Sequence, residues 1–197
     1  MNRASLTVTF ALLTVFCLSV VAQEEEQSTY KVGSEVAPFT LQDAEGQEHD
    51  LSKDLGEKII VLEFWNMNCP VSRGYIERMK ALHEKYKEED VVFYAIDSIL
   101  GNEVEDIKKF AGEHEISYPI LKDSDQKIVN QFNAQVTPEI FVIGKDKKIV
   151  YHGAVDNSQD ESKLENRYLA DALNALLRNE SVKVSETKAF GCGIKRG

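Results

Sequence analysis

Two kinds of hydrophobic pattern alternate along the chain. Residues 58–65 (KIIVLEFW) and 91–96 (VVFYAI) form nearly continuous apolar runs rich in β-branched side chains, which is typical of strands covered on both faces. Between these runs, residues 70–86 place apolar side chains at intervals of three and four. That spacing predicts an amphipathic helix, and Pro70 suits the first turn of such a helix.

The remaining pattern continues this alternation. Further elements are predicted as follows: a hairpin from 39–41 and 49–51, helices at 103–114, 125–132 and 164–177, and strands at 139–143 and 148–152. Strands that alternate with helices favour an α/β domain with parallel pairs, and a closing hairpin adds antiparallel pairing. We therefore expect a central mixed β-sheet flanked by helices, with the first hairpin as an N-terminal extension.

The first 22 residues do not fit this pattern. Arg3 precedes an uncharged stretch from Leu6 to Val21, and small side chains lie just before Gln23. This arrangement predicts a signal peptide over residues 1–22, and hence an exported protein, periplasmic or secreted. The alternative is an uncleaved membrane anchor, with the rest of the chain facing outside the cytoplasm, because the stretch reaches the lower length limit of a spanning helix.

Three further segments follow the predicted signal peptide. Residues 23–31 are acidic and without periodicity, which predicts a flexible lead-in. Residues 32–178 carry the strands and helices and are interpreted as one domain. Residues 179–197 lack periodicity and hold Cys192 between two glycines, which predicts a flexible tail.

Charge and cysteine content limit the chemistry. The formal net charge is −10, which argues against a nucleic-acid partner. Of the three cysteines, Cys17 belongs to the predicted signal peptide, so Cys69 and Cys192 remain. No paired Cys-x-x-Cys clusters suggest a structural zinc site, and we expect neither a metal nor an organic cofactor.

Cys69 lies where a predicted buried strand gives way to a predicted helix. Unpaired backbone N–H groups and the helix dipole favour negative charge at that place. They would stabilise a thiolate and make Cys69 a nucleophile near neutral pH. The alternative is a small, inert, buried cysteine.

The residues around this cysteine carry a resemblance. The segment 63–72 (EFWNMNCPVS) resembles the active-site segment of the thioredoxin-like superfamily, and residues 136–138 (VTP) resemble its cis-proline loop. The resemblance covers about residues 32–178 and is strongest to exported redoxins of the TlpA/ResA type and the AhpC/TSA group. It implies a thioredoxin-like fold and a substrate surface formed by four residues: Trp65, Pro70, Thr137 and Pro138. For Trp65, packing in the core alone is an equal alternative.

The sequence departs from these families at two places. Ser72 occupies the position of the second cysteine in Cys-x-x-Cys, so a local disulfide cannot form. The peroxiredoxin pattern requires proline and threonine seven and three residues before the cysteine, where this chain has Leu62 and Asn66. The second departure argues against peroxidase activity.

Cys192 offers a way to complete the redox cycle. Some redoxin-like relatives carry a similar C-terminal Gly-Cys-x-Ile-Lys segment, and this resemblance implies that Cys192 resolves Cys69 through a disulfide. Exchange requires only an accessible thiolate and a suitable approach. A permanent structural disulfide, an unpaired thiol and a bond to another chain remain alternatives.

Glu63 is the one acidic residue in an otherwise apolar strand. Burial would raise the pKa of its carboxyl group, so that it could relay a proton during thiol exchange. Its position matches the buried acidic residue of thioredoxins. Alternatively, the side chain reaches solvent or pairs with a lysine such as Lys58.

These features together predict an exported thiol-disulfide oxidoreductase. Cys69 attacks, Cys192 resolves, and the expected partners are protein thiols or disulfides and an external thiol electron donor. One alternative is a thiol peroxidase, in which Cys69 reduces a peroxide through a sulfenic acid. Another is a non-catalytic module that binds partners through the cis-proline groove.

Overall fold

The computed structural model describes residues 29–197, which form a central sheet with helices on both faces. The strands are β1 (Thr40–Gln42), β2 (Glu48–Asp50), β3 (Ile59–Trp65), β4 (Val91–Asp97), β5 (Ile120–Lys122), β6 (Val136–Thr137), β7 (Glu139–Ile143), β8 (Ile149–Gly153) and β9 (Cys192–Gly193). The helices are α1 (Pro70–Tyr86), α2 (Val104–Glu113), α3 (Lys127–Phe132) and α4 (Tyr168–Leu177).

The main sheet is mixed, as the sequence predicts. Its strand order is β5-β4-β3-β7-β8, with β3, β4 and β5 parallel to one another and β7 antiparallel to both β3 and β8. Every residue of β3 is buried, because the strand lies between two others and is covered on both faces. The predicted hairpin forms as β1 and β2, which pair antiparallel outside the main sheet.

Alternate residues of β3 serve two separate hydrophobic cores. Val61 and Trp65 join the core under α1, α2 and α4. Leu62 and Phe64 join the core under α3. Successive side chains of a strand point to opposite faces, so Glu63 shares the face of Val61 and Trp65, which α1 covers.

Two element predictions are corrected by the structure. The sequence pattern showed no strand between α2 and α3, yet residues 120–122 form β5. Three residues are too few to establish a periodicity, and pairing with β4 creates the strand. The last helix begins at Tyr168 rather than at 164, because the Asn157 side chain accepts hydrogen bonds from the backbone N–H groups of Glu165 and Asn166 and holds them in a loop.

The ends of the chain differ in how far the structure describes them. The predicted signal peptide (1–22) and residues 23–28 of the predicted lead-in lie outside the described residues. Tyr30 is described, and its ring packs 4.9 Å from that of Phe132. Within residues 29–197, no helix is both long and apolar enough to cross a membrane.

The C-terminal tail lies against the domain in this state. Its strand β9 pairs antiparallel with β6, and further residues bond to the loop before β6. The sequence predicted a flexible tail; the structure describes a docked one, and its mobility once the contacts break stays a prediction.

Candidate active site

A disulfide bond joins Cys69 to Cys192, 123 positions apart in the sequence. Their Cα atoms are 5.9 Å apart, within the ordinary range for a disulfide. The two cysteines left after the predicted signal peptide therefore pair within one chain. The site forms where three parts of the molecule meet: the N-terminus of α1, the loop before β7 and the C-terminal tail.

Cys69 is the residue that caps helix α1. Its backbone is extended, Pro70 occupies the first helical position, and the Ser72 N–H points at the Cys69 Sγ atom from 3.5 Å. The sulfur therefore takes the place of the side-chain oxygen found at most helix N-termini. When this sulfur is reduced, the Ser72 N–H and the dipole of a 17-residue helix favour the thiolate.

The peptide bond between Thr137 and Pro138 is cis, as the family resemblance implied. The Cys69 Sγ atom lies 3.1 Å from the carbonyl oxygen of Thr137. A disulfide sulfur carries no hydrogen, so in this state the two atoms are only in contact. A reduced thiol could donate a hydrogen bond to that oxygen, which opposes the helix by favouring the neutral thiol.

The tail enters the site as an extended strand. Thr137 stands opposite Cys192 in the β6–β9 ladder, and Val136 stands opposite Gly193. Just beyond the ladder, the N–H of Ile194 donates to the carbonyl of Gln135 at 2.9 Å. Cys192 is thus held by backbone pairing as well as by its disulfide.

The last residues of the tail make further contacts. The Gln126 side-chain amide donates to the carbonyl of Lys195 at 2.8 Å, and its Oε1 accepts the N–H of Gly197 at 2.8 Å. Arg196 also donates to the carbonyl of Ala134. The hydrogen bonds that residues 194–197 form with the domain therefore go to the loop before β6 and to Gln126 at the start of α3.

Glu63 is buried in β3, the strand that precedes Cys69. Only 2% of the residue is exposed, and the Tyr118 hydroxyl donates to its Oε2 at 3.3 Å. Burial raises the pKa of the Glu63 carboxyl to about 8, although the hydrogen bond from Tyr118 acts in the opposite direction. The alternative pairing with Lys58 does not occur, since that lysine bridges Asp54 at 3.3 Å. The carboxyl of Glu63 is therefore protonated at neutral pH.

The predicted substrate surface divides into exposed and buried parts. Pro70 is exposed at the start of α1, whereas Thr137 and Pro138 are buried, with the tail strand paired along Thr137. Trp65 is 1% exposed, and its ring packs 5.5 Å from that of Phe110. Trp65 therefore takes part in the core and has almost no surface to offer a substrate in this state.

The two sulfur-bearing residues differ in accessibility. Cys69 is 1% exposed, whereas Cys192 is half-buried. An external thiol approaching the oxidised site therefore meets Cys192 before Cys69.

Two hydroxyl groups beside the disulfide are also buried. Among residues 29–197, the buried hydroxyls of Ser72 and Thr137 have no hydrogen-bond partner.

Sequence reasoning missed Glu139, which holds the cis-proline loop in place. Its Oε2 accepts the backbone N–H groups of Gln135 and Val136 at 2.6 and 3.0 Å, and its Oε1 lies 2.6 Å from the Nε2 of His152. Charge-assisted hydrogen bonds of this kind are the strong ones. The available signal was a carboxylate at the start of an apolar strand, directly after the Thr-Pro pair.

A second missed group supports the loop before Cys69. Asn102 donates to Asp97 at 2.7 Å and to the side chain of Asn66 at 3.3 Å, and it accepts from Asn68 at 3.0 Å. Burial raises the pKa of Asp97, and Lys122, 2.8 Å away, acts in the opposite direction.

Within the described part of the chain, no three His, Cys, Asp or Glu side chains cluster so as to hold a metal ion.

Comparison with known proteins agrees with this arrangement. The AhpC/TSA family model matches residues 32–152. A thiol-disulfide oxidoreductase ResA of Bacillus anthracis is 31% identical over 126 residues, which cover 64% of this chain and 70% of that protein.

Two solved structures share the fold. One is a conserved protein from Geobacillus kaustophilus, with a TM-score of 0.80, 26% identity, and coverage of 86% of this chain and 94% of that one. The other is peroxidoxin BcpB from Mycobacterium tuberculosis, with a TM-score of 0.61, 26% identity, and coverage of 76% and 97%. The family match includes Cys69 and Pro138 and ends before Cys192.

Proposed function

The chain belongs to the AhpC/TSA family, and from that premise we propose that it is a thiol-disulfide oxidoreductase that acts outside the cytoplasm. Cys69 is its nucleophile and Cys192 its resolving thiol. The observation that carries the proposal is the disulfide between them, formed at a helix N-terminus beside a cis-proline loop. The similarity to a ResA thiol-disulfide oxidoreductase supports the same reaction class.

The reaction begins with the reduced form. The Cys69 thiolate attacks one sulfur of a substrate disulfide, and the other substrate sulfur leaves with the electron pair. The thiolate of Cys192 then attacks the Cys69 sulfur of the mixed disulfide and releases the second substrate thiol. The substrate gains two electrons, and the Cys69–Cys192 pair loses them.

An external thiol donor returns the enzyme to its reduced form. The exposures favour attack on the half-buried Cys192, because Cys69 is almost fully covered. Such an attack expels Cys69, whose thiolate the helix N-terminus stabilises and which is therefore the better leaving group. A second donor thiol then releases Cys192.

Glu63 has the properties of a proton carrier for these steps. A carboxyl group with a pKa of about 8 holds its proton at neutral pH and can still lose it near that pH. Its position on the face of β3 that α1 covers places it on the Cys69 side of the sheet. We propose that Glu63 gives up or accepts a proton as the thiol of Cys69 ionises or re-forms.

The test is turnover of a protein disulfide with a dithiol as electron donor. Cys69→Ser should abolish turnover, and Cys192→Ser, mixed with the substrate before the dithiol is added, should stop at a covalent adduct between Cys69 and the substrate. Mass measurement under acid quench detects that adduct. The assay uses the full-length, uncleaved chain, in which Cys17→Ser is the matched control, since the same replacement outside the site should leave turnover unchanged.

Three outcomes would contradict parts of the proposal. Absence of turnover by the unaltered protein would favour a non-catalytic binding module. Turnover by Cys192→Ser at the normal rate would mean that Cys192 does not resolve the mixed disulfide. Pairing of Cys192 with a second chain, found by mapping the oxidised protein, would remove its role as an internal resolving thiol.

Peroxide reduction is the second candidate function, and the similarity to peroxidoxin BcpB favours it. A sulfenic acid on Cys69 would condense with Cys192 to water and the same disulfide. Leu62 and Asn66, in place of the peroxiredoxin proline and threonine, argue against it. Stopped-flow mixing of the reduced protein with hydrogen peroxide separates the two: thiol loss far faster than that of free cysteine would favour the peroxidase.

Export is proposed from the first 22 residues alone. The mass of the protein recovered from outside the cytoplasm tests it, because cleavage before Gln23 removes residues 1–22 and Cys17 with them. A full-length mass in the membrane fraction would favour the anchored alternative.

A further inference from the structure

The tail occupies the place where a substrate chain would have to lie. Cys192 is bonded to Cys69 and paired with Thr137, so the residues around it contact the domain as those around a substrate cysteine would in a mixed disulfide. We propose that this groove selects protein segments of the form aromatic-Gly-Cys-x-aliphatic, of which residues 190–194 (FGCGI) are the resident example. This inference rests on the proposed function and names its substrate class.

The glycine before the cysteine is the sharpest requirement. A Cβ atom added to Gly191 would overlap the carbonyl carbon and oxygen of Thr137 and would lie 3.2 Å from the nitrogen of Pro138. All three atoms are backbone, and the cis-proline loop that carries them is fixed by Glu139. A bulkier residue at this place would force the strand away from β6, because close-packed backbone cannot yield as a flexible side chain does.

The position after the cysteine has no such restriction. A Cβ atom added to Gly193 would meet nothing within 4 Å. The two glycines flank the same sulfur, so replacing one or the other is a matched pair of changes with opposite expected outcomes.

The outer two positions contact the domain through their side chains. Phe190 lies before the bend at Gly191, and Ile194 directly follows β9. The ring of Phe190 lies 6.2 Å from that of Tyr75, and Ile194 packs against the core that contains Leu62 and Phe64. These contacts favour an aromatic residue two positions before the cysteine and an aliphatic residue two positions after it.

The test uses peptides in place of the tail. The full chain with Cys17→Ser and Cys192→Ser retains Cys69 as its one cysteine. The probe is an eight-residue peptide of sequence KAFGCGIK, matching residues 188–195, whose cysteine carries thionitrobenzoate in a mixed disulfide. The Cys69 thiolate attacks the peptide sulfur, the bond to thionitrobenzoate breaks, and the released thiolate absorbs at 412 nm.

Two variant peptides carry alanine at one glycine each. Alanine before the cysteine should slow the reaction with Cys69 about tenfold or more, since overpacking of this kind costs on the order of one to two powers of ten. Alanine after the cysteine should change the rate by less than about twofold. Reaction of each peptide with glutathione corrects for the reactivity of the peptide disulfide itself.

The possible results distinguish the selectivity of the groove from the proposed thiol-disulfide exchange by Cys69. Equal rates for all three peptides, each well above the glutathione rate, would overturn the groove's selectivity and leave the oxidoreductase intact. Rates no higher than that of glutathione for every peptide would contradict the proposed function, and the inference with it. Competition from the variant's own tail affects all three peptides alike and cancels in the ratio.

A second measurement uses the chain with both cysteines in place. The equilibrium between reduced and disulfide forms is measured in dithiothreitol buffers for Gly191→Ala and Gly193→Ala. Gly191→Ala should shift the equilibrium about tenfold or more toward the reduced form, and Gly193→Ala should leave it within about twofold. Equal shifts for the two variants would overturn the proposal even if the Cys192→Ser chain does not fold.

Discussion

Glu63 shows how one residue in an apolar strand acquires a special protonation state. Its carboxyl group is fully enclosed, and its one hydrogen-bond donor, the Tyr118 hydroxyl, does not offset the loss of water. The pKa therefore rises from an ordinary 4.5 to about 8. The folded protein binds this proton more tightly than the unfolded chain does.

That difference in proton binding makes stability depend on pH. The contribution of Glu63 is fully present below pH 4.5 and is lost as the pH rises through about 8. In Glu63→Gln this dependence should disappear. The free energy of unfolding of the unaltered oxidised protein, relative to the variant, should fall by roughly 1 kcal/mol per pH unit between pH 5 and 8. Urea denaturation at four pH values in that interval measures it.

Glu105→Gln is the matched control, because Glu105 is exposed in the first turn of α2. Its stability should follow that of the unaltered protein at every pH. A constant difference between Glu63→Gln and the unaltered protein across the interval would mean that Glu63 keeps its ordinary pKa.

The residues of the site were not equally visible in the sequence. Glu63 could be predicted because it is the one acidic residue in an apolar strand. Cys69 could be predicted because it lies between that strand and the following helix. Glu139 and Asn102 act on segments through hydrogen bonds that only the folded backbone creates. For Trp65 the sequence left both a place on the substrate surface and packing in the core open. Its burial depends on α2, which the motif around Cys69 does not include.

At the scale of elements, the tail strand depends on its disulfide. The β6–β9 ladder has two residues on each side, and a two-stranded ribbon of that length is at most marginally stable alone. We therefore expect reduction to release the tail. Hydrogen exchange followed by mass spectrometry should show faster exchange in residues 188–197 and at β6 in the reduced protein, with β3 unchanged.

Cys192→Ser provides the matched case without a reductant. Its tail should exchange as fast as that of the reduced protein, and adding reductant should change nothing. Equal protection of the tail in oxidised and reduced protein would mean that the contacts of Gln126 and Arg196 hold it without the disulfide.

Strand β5 illustrates a limit of pattern-based prediction. Residues 120–122 are extended because Ala95 and Asp97 of β4 offer free backbone groups beside them. A three-residue segment carries no period of its own, so the neighbouring strand decides its structure. The longer elements β3 and α1 were predicted nearly to the residue, since each repeats its pattern several times.

At the scale of the molecule, the Cys69–Cys192 bond joins the middle of the chain to its end. It closes a loop of 123 residues, and in the chain-entropy model a loop of that size stabilises the folded state by about 4 to 5 kcal/mol. The oxidised protein should therefore unfold at a clearly higher urea concentration than the reduced protein. Denaturation with and without dithiothreitol measures the difference.

Cys192→Ser is again the control, since it should match the reduced protein under both conditions. A difference below about 1 kcal/mol between oxidised and reduced forms would mean that the unfolded reduced chain keeps Cys69 and Cys192 close together. A difference seen equally in Cys192→Ser would point to an effect of the reductant unrelated to this bond.

The sequence by itself determined the alternation of buried strands and amphipathic helices, and with it the mixed sheet and the placement of Cys69 at the start of a helix. These features repeat over many residues or follow from neighbours in the chain, so local physics is enough to predict them. The family resemblance added the cis-proline loop and the pairing of the two cysteines.

Tertiary structure alone decided what surrounds that pair. Only folding brings residues 190–194 onto the cis-proline loop, places Glu139 beneath that loop and leaves Gly191 without room for a side chain. The contacts of the tail with this loop join residues more than 50 positions apart, for which no local pattern exists. The tail has no periodicity of its own. It forms a strand because its backbone pairs with β6 and Cys192 bonds to the sulfur of Cys69.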